Sequence, residues 1–399
     1  MVLNYNEPNI QRSAPRMVSI IMERKLRVIL IAPDIPDYCV AFAEAVATQA
    51  DVTLIAPAKF FAGRPALLPE SLPVHRVAWP RHRSVRSLGF IIKLVRFIRA
   101  YNPDIIHVLS EKNVWLNLAL ALLRRFPIVT TVHDVQYHPG DIMSQRVPLW
   151  CTHLTIKQSD AIIVHGDGLK HEAAQRLPVD PSQVYVVPHL ALPYYLRLAT
   201  SKNLAKQSVA DEINILFYGR LQRYKGIDVF VAAAQQVAKS IPRLRFTIAG
   251  RAETDVRPFI TDLDPTLFDV RDRFIDDDET AQLFLNADLT VLPYLEASSS
   301  GVLAVALTFG IPAVVTDFGE LGTTVRESGG GVVVPAAESA IVADAILSLV
   351  LDGERRRELG RRARAAAETS LGYKTIGAEV CAIYRRVIES SAKTAATRP

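Results

Sequence analysis

The sequence has no run of 18 or more apolar residues, so nothing in it reads as a membrane-spanning helix. Its opening residues lack the basic, then apolar, then small-residue order of an export signal. Cysteine is scarce. Cys39, Cys151 and Cys381 are odd in number and far apart, which excludes a disulfide framework and a C-x-x-C metal site. Together these absences fit a reducing, cytoplasmic compartment. Net charge is small too: 46 Lys and Arg against 41 Asp and Glu, a formal +5, too little to imply nucleic acid. No short-period repeat is present. Hydrophobic residues make up 49% and charged residues 22%, which excludes a disordered, collagen-like or coiled-coil chain. The charge is unevenly spread. Residues 1–205 hold 23 basic and 15 acidic residues, and residues 206–399 hold 23 and 26. The basic first half favours an anionic partner.

What is present is alternation. Residues 25–32 (KLRVILIA) form a short apolar run that breaks at Pro33-Asp34; a helical pattern follows over 40–48, then a second run at 51–56. Strand, helix, strand at this spacing predicts a βαβ unit and a parallel sheet. Further strands are expected at 74–78, 105–109, 128–133, 161–165 and 183–187. Residues 196–211 lose the alternation and read as a linker, after which the pattern restarts at 213–218 and runs through strands at 244–249, 270–275, 289–293, 313–316 and 331–334. The expected organisation is a tail (1–22), a first domain (23–198), a linker (199–211), a second domain (212–370), a helix (371–392) that crosses back to the first domain, and a short tail (393–399). Two successive α/β domains place a ligand in the cleft between them, outside the C-terminal strand ends.

Two segments carry chemistry. In Phe217-Tyr-Gly-Arg-Leu-Gln-Arg-Tyr-Lys-Gly226 a strand ends at Tyr218, Gly219 lets backbone approach a ligand, and Arg220 and Lys225 stand before a helix beginning near Gly226. Two cations beside a helix N-terminus suit a diphosphate, and equally describe an ordinary loop with two solvated cations. In Pro293-Tyr-Leu-Glu-Ala-Ser-Ser-Ser-Gly-Val-Leu303 a loop of small residues precedes a helix expected from about Gly301. Its serines are good N-cap residues, and amides at such a start can hold phosphate or sugar oxygens.

The motif G-R-L-x-x-x-K-G at 219–226, A-G-R at 249–251, L-F-L-N-A-D-L-T-V-L-P-Y at 283–294 and F-G-I-P-A-V-V-T-D-F-G-E-L at 309–321 resembles the retaining glycosyltransferases of family 4. The resemblance covers about residues 213–335 well and the first half loosely. It implies a GT-B fold, two Rossmann-like domains with parallel sheets across a cleft. It implies a hexosyltransferase that holds a nucleotide-diphosphate sugar mainly on the second domain, retains anomeric configuration and requires no metal or other cofactor. Carried over residue by residue, Arg220 and Lys225 neutralise the donor diphosphate and leaving group. His133, at the end of Thr130-Thr-Val-His133, faces the donor sugar. Gly219, Gly226 and the Ser300-Gly301-Val302-Leu303 turn contact the donor, and Arg251 and Phe274-Ile275 supply backbone around its base. His138 and Asp141, in a polar segment after a strand, are acceptor-side candidates.

Two departures stand out. Aligning Phe309-Gly-Ile-Pro312 on the family pattern puts Ala297 and Val305 where two signature glutamates belong, with Glu296 one position early. This version resembles members assigned to polysaccharide assembly. Second, the turn after the first strand (Ala32-Pro-Asp-Ile-Pro-Asp-Tyr38) has no glycine, so it is expected to line the acceptor side rather than bind phosphate. The acceptor expected is a glycan or lipid-linked oligosaccharide. The segment 81–99, with six cations and no acid, reads either as a helix with a solvated basic face or as a peripheral contact with an anionic membrane on its cytoplasmic side. The rival readings are a non-catalytic nucleotide-sugar-binding or scaffold protein, and another GT-B enzyme such as a sugar-nucleotide epimerase or phosphorylase.

Overall fold

The computed structural model describes residues 24–68, 70–80, 86–112, 114–136, 147–207, 212–253 and 255–397. The first sheet has seven parallel strands: β1 (Arg27–Ile31), β2 (Asp51–Pro57), β3 (Val74–Val77), β4 (Ile105–Val108), β5 (Ile128–Thr131), β6 (Ala161–Val164) and β7 (Val184–Val186), in the order β3-β2-β1-β4-β5-β6-β7. The second has six: β8 (Ile213–Tyr218), β9 (Leu244–Ala249), β10 (Phe268–Arg271), β11 (Leu289–Leu292), β12 (Ala313–Thr316) and β13 (Gly331–Val334), in the order β10-β9-β8-β11-β12-β13. Every residue of β4, β5, β6, β11 and β12 is buried, because helices cover both faces of each sheet. Strand order reverses beside β1 in one sheet and beside β8 in the other, and such switch points open a crevice at the C-terminal strand edge.

Several boundaries differ from the sequence reading. The helix expected from residue 40 begins at Pro36, since proline at a first helical position gives up no hydrogen bond. β10 ends at Arg271 rather than at 275. Helix Tyr194–Ser201 occupies the start of the segment read as linker and buries Tyr194, Leu198 and Ala199. It packs on helix Asp277–Asn286 of the second half, a long-range contact that local polarity does not reveal.

The last helix, Tyr373–Thr397, lies against Pro36–Ala47 beneath the first sheet. There Tyr384, fully buried, meets His107 of β4, its hydroxyl 2.6 Å from Nδ1, while His107 Nε2 lies 2.8 Å from the Thr131 hydroxyl. Tyr384→Phe leaves one buried imidazole nitrogen without a partner. A loss of about 1–3 kcal/mol in urea unfolding is expected; an unchanged midpoint would mean that water replaces the hydroxyl.

Candidate active site

The crevices at the two switch points face each other across one cleft. A pocket of ≈ 470 Å³ lies in it. From the first half, Ile35 and Tyr38 reach it from the turn after β1, His133 and Asp134 from the end of β5, and His189 from beyond β7. From the second half come Gly219, Arg220 and Lys225 after β8, and Ser299 to Val302 after β11. Tyrosines 195, 218, 224 and 294 also line it.

On the second-half wall, a single 3-10 turn (Arg223–Lys225) follows β8, and helix Ile227–Ala238 starts directly after Gly226. Gly226 sits at φ 67, and a Cβ there would fall 2.0 Å from the Pro293 carbonyl oxygen, so glycine is required where this loop crosses the end of β11. Lys225 is buried, with its ammonium 5.4 Å from the centre of the Tyr294 ring, and Arg220, two residues past β8, is exposed. Burial against an aromatic face leaves the ammonium poorly hydrated, which strengthens its pull on an anion.

The second loop ends at helix Gly301–Phe309, capped by Ser300, whose hydroxyl accepts from the Leu303 amide at 3.3 Å. That bond corrects one expectation. The Leu303 amide is already engaged and its side chain is buried, so the turn that meets the cleft is Ser300-Gly301-Val302. Ala297 and Val305 both line the pocket, whereas Glu296 is exposed and does not. Arg251 and Ile275 stand outside the pocket as well. The Arg251 carbonyl accepts from the Leu221 amide at 3.0 Å, beside the Arg220 loop, and Ile275 is buried in the core. His138 and Asp141 lie outside the described residues.

His133 is buried at the end of β5. Its Nε2–H donates to the Leu109 carbonyl at 2.9 Å, which leaves Nδ1 as the acceptor of a neutral ring. It does not stand alone. Tyr38 packs edge-on against His133 at 4.7 Å and against His165 at 5.3 Å, and His189 lies 5.2 Å from His165. The signal for this cluster is in the sequence: β5, β6 and β7 are each followed within three residues by a histidine. Beneath the Pro33-Asp34 turn lies a second unforeseen group. Half-buried Asp34 and fully buried Glu111 lie near Lys112, whose ammonium binds Asp134 at 2.7 Å.

The two halves are tied at the cleft's rim. Arg64, after β2, reaches Asp37 of the first half at 2.5 Å and Asp277 of the second at 2.6 Å, and the Tyr195 hydroxyl donates to Asp37 at 2.8 Å. From the second half the buried carboxylate of Glu320 accepts from the Gly168 amide at 3.1 Å, at the N-terminus of helix Asp167–Arg176.

Burial sets the protonation of the first-half groups. It pushes His107 down to about 3 and His189 to about 4, and lowers His133 and His165 too. The same desolvation pushes Asp34 up to about 6 and Glu111 up to about 7. The depressed histidines contribute stability that is full above their unfolded value and is lost as pH falls. The raised carboxyls act oppositely, losing stability as pH rises through their folded values. Between roughly pH 4.5 and 6 the four histidines make the unfolded chain bind more protons than the folded one, and the raised carboxyls Asp34, Glu111, Asp160, Glu320 and Glu379 offset part of that uptake. Stability is therefore expected to fall on acidification, by on the order of 1 kcal/mol per pH unit. Denaturant midpoints across that range check it, and a flat profile would mean that the histidines are not held neutral.

Comparison with known proteins agrees with this architecture half by half. Residues 37–190 match the family model described as Glycosyltransferase Family 4, and residues 212–352 the one described as Glycosyl transferases group 1. The chain is 21% identical over 276 residues to the alpha-D-kanosaminyltransferase of Streptomyces kanamyceticus, covering 65% of this chain and 71% of that protein. It is 30% identical over 184 residues to a D-inositol 3-phosphate glycosyltransferase of Paenarthrobacter aurescens, 45% of each chain. In three dimensions it resembles Anabaena HepE in complex with UDP, with a TM-score of 0.65 at 17% identity over 90% of this chain and 99% of the other.

Proposed function

With family 4 matching its first half and group 1 its second, the chain belongs to the group 1/family 4 glycosyltransferases, which transfer a sugar from a nucleotide sugar, and we propose that it is a retaining hexosyltransferase acting at this cleft. One observation carries the proposal. The loop with Gly219, Arg220 and Lys225 and the capped start of helix Gly301–Phe309 line one wall of a pocket whose other wall holds His133. The donor diphosphate lies against Gly219, Arg220, Lys225 and the 300–302 turn, while Gly226, buried under the Pro293 carbonyl, shapes the loop without touching the donor. Backbone near Arg251 and Ile275 meets the base, and neutral His133 faces the sugar. As the bond from the anomeric carbon to the phosphate oxygen breaks, negative charge grows on that oxygen, and the two cations stabilise it there. The acceptor hydroxyl attacks from the same face and gives its proton to the departing phosphate oxygen. Configuration is retained, and neither a protein base nor a metal is needed.

The acceptor proposed is a glycan or lipid-linked oligosaccharide of cell-surface polysaccharide assembly, handled at the cytoplasmic face of a membrane. No described helix is long and apolar enough to cross one, and the contact proposed is peripheral. A second reading, a binding or scaffold protein without transfer, is favoured by Ala297 and Val305, which put apolar side chains in the pocket at the two glutamate positions. Thermal shifts with UDP, GDP, ADP and their sugar conjugates, with and without magnesium, test the donor site. Ligand at a hundred times its dissociation constant stabilises by about 2.7 kcal/mol. A metal-independent shift with one nucleotide, followed by sugar transfer to an acceptor, supports the enzyme. A shift without transfer to any acceptor supports the scaffold, and no shift removes the donor site.

A further inference from the structure

Helices Arg86–Tyr101, Val114–Leu122 and Leu149–Lys157 follow β3, β4 and β5 and lie side by side on one face of the first sheet. Each buries one apolar stripe against that sheet, such as Ile91, Leu94, Val95 and Ile98 on the first. Their outward faces are not polar either. Leu88 and Ile92 stand one turn apart on the first helix, 63% and 56% exposed. Leu118 and Leu122 repeat that spacing on the second helix, and Leu149, Leu154 and Trp150, the last 64% exposed, stand on the third. Isolated exposed leucines are ordinary, whereas a cluster of seven large apolar side chains on three adjoining helices marks an interaction surface.

The three helices themselves carry charge of one sign, and Asp160 stands beside Arg124 at their edge. Lys93, Arg96, Arg99, Arg124, Arg125 and Lys157 are exposed on this surface or at its edge. Residues 86–101, 114–125 and 149–157 contain no Asp or Glu. Elsewhere the chain pairs such cations: in helix Gly353–Glu368, Arg357 meets Glu354, Arg361 and Arg362 meet Glu358, and Arg364 meets Glu368. Two copies of a cationic face would repel each other, so self-association does not suit it. An anionic lipid surface does, because headgroups neutralise the cations while the apolar side chains enter the acyl boundary. A tryptophan at the edge of such a face suits the water–lipid interface.

We propose that this three-helix face docks the protein on an anionic bilayer. Helices that follow parallel strands begin at the C-terminal strand edge, so Leu88, Leu149 and Trp150 lie toward the cleft end of the face. Docked this way, the cleft opens near the lipid surface. That consequence rests on the proposed lipid-linked acceptor; the docking surface itself does not.

Flotation of the full chain with phosphatidylcholine vesicles, with and without phosphatidylglycerol, tests the proposal. Binding to the anionic vesicles alone is expected, weakening with salt. The Leu149→Ser, Trp150→Ser double variant is expected to lower partitioning at least about tenfold, from the apolar area removed. Lys93→Gln and Arg96→Gln are each expected to lower it about fivefold. No binding at low salt, equal binding to neutral vesicles, or variants that bind like the parent would overturn the proposal. So would a dimer that the double variant dissociates while vesicles bind neither protein. Nucleotide thermal shifts should be the same in all these variants. Vesicle binding without any nucleotide shift would instead strike the transferase reading and leave the docking surface standing.

Discussion

Arg220→Ala and Lys225→Ala are each expected to lower kcat about a hundred- to a thousandfold, the usual cost of removing one preorganised group from a site of developing charge. The two should differ in how they do it. Lys225 is buried against the Tyr294 ring, so its loss removes a poorly hydrated cation and leaves a void beneath the Gly219 backbone. Donor binding and turnover should fall together, with some loss of thermal stability. Arg220 is exposed just past β8, and its substitution should cost less stability than that of buried Lys225. Steady-state rates, donor KM and unfolding curves of both variants give the split. Unchanged turnover in either would remove that residue from the mechanism. Arg220→Lys separates charge from shape: partial activity is expected, since a point charge cannot replace a planar fork.

The second large effect is expected at a residue with no side chain. Gly250 lies just past β9 at φ 144, and a Cβ there would fall 1.8 Å from the Gly219 carbonyl oxygen. That neighbour is backbone, so no rotamer change relieves the clash. The Gly219 amide also donates to the Ala249 carbonyl at 3.0 Å, which fixes the two turns against each other. Gly250→Ala must therefore move the loop that carries Arg220. A loss of about 3–5 kcal/mol is expected from the forbidden φ and the backbone overlap together. Nucleotide affinity should also drop in whatever fraction still folds. Chemical unfolding and nucleotide thermal shifts check both parts. A variant with parental stability and affinity would mean that the turns are free to separate.

Much of the fold was legible because parallel α/β structure writes itself locally. Runs such as Val-Ile-Leu-Ile at 28–31 or Val-Val-Thr at 314–316 are too short and too β-branched for helices, and each stops at a turn residue. The donor wall was legible for the same reason. The ends of β8 and β11, the two cations and the Ser300 cap all lie within short stretches of chain whose geometry follows from neighbouring residues. Where the expectation failed locally, as at Leu303, a capping bond had claimed the amide, a detail of one hydrogen bond rather than of pattern.

Of the opposite wall only His133 and the turn leading to Tyr38 were expected, because the wall is assembled from residues far apart in sequence. Tyr38, His133, His165 and His189 meet only because the sheet order β1-β4-β5-β6-β7 gathers the C-terminal ends of these strands along one edge. Helix Tyr194–Ser201 looks polar in sequence and is fixed by a partner some eighty residues away. The seven exposed apolar side chains on three helices are unremarkable one by one and become a surface only when the helices lie together. The sequence by itself determined the strands and helices, the division into two halves and the cationic loop, since periodicity, turn chemistry and caps act over a few residues. Tertiary structure alone decided which side chains share the cleft, which carboxyls and imidazoles lose their water, and which outward faces join, since burial and juxtaposition depend on long-range crossovers.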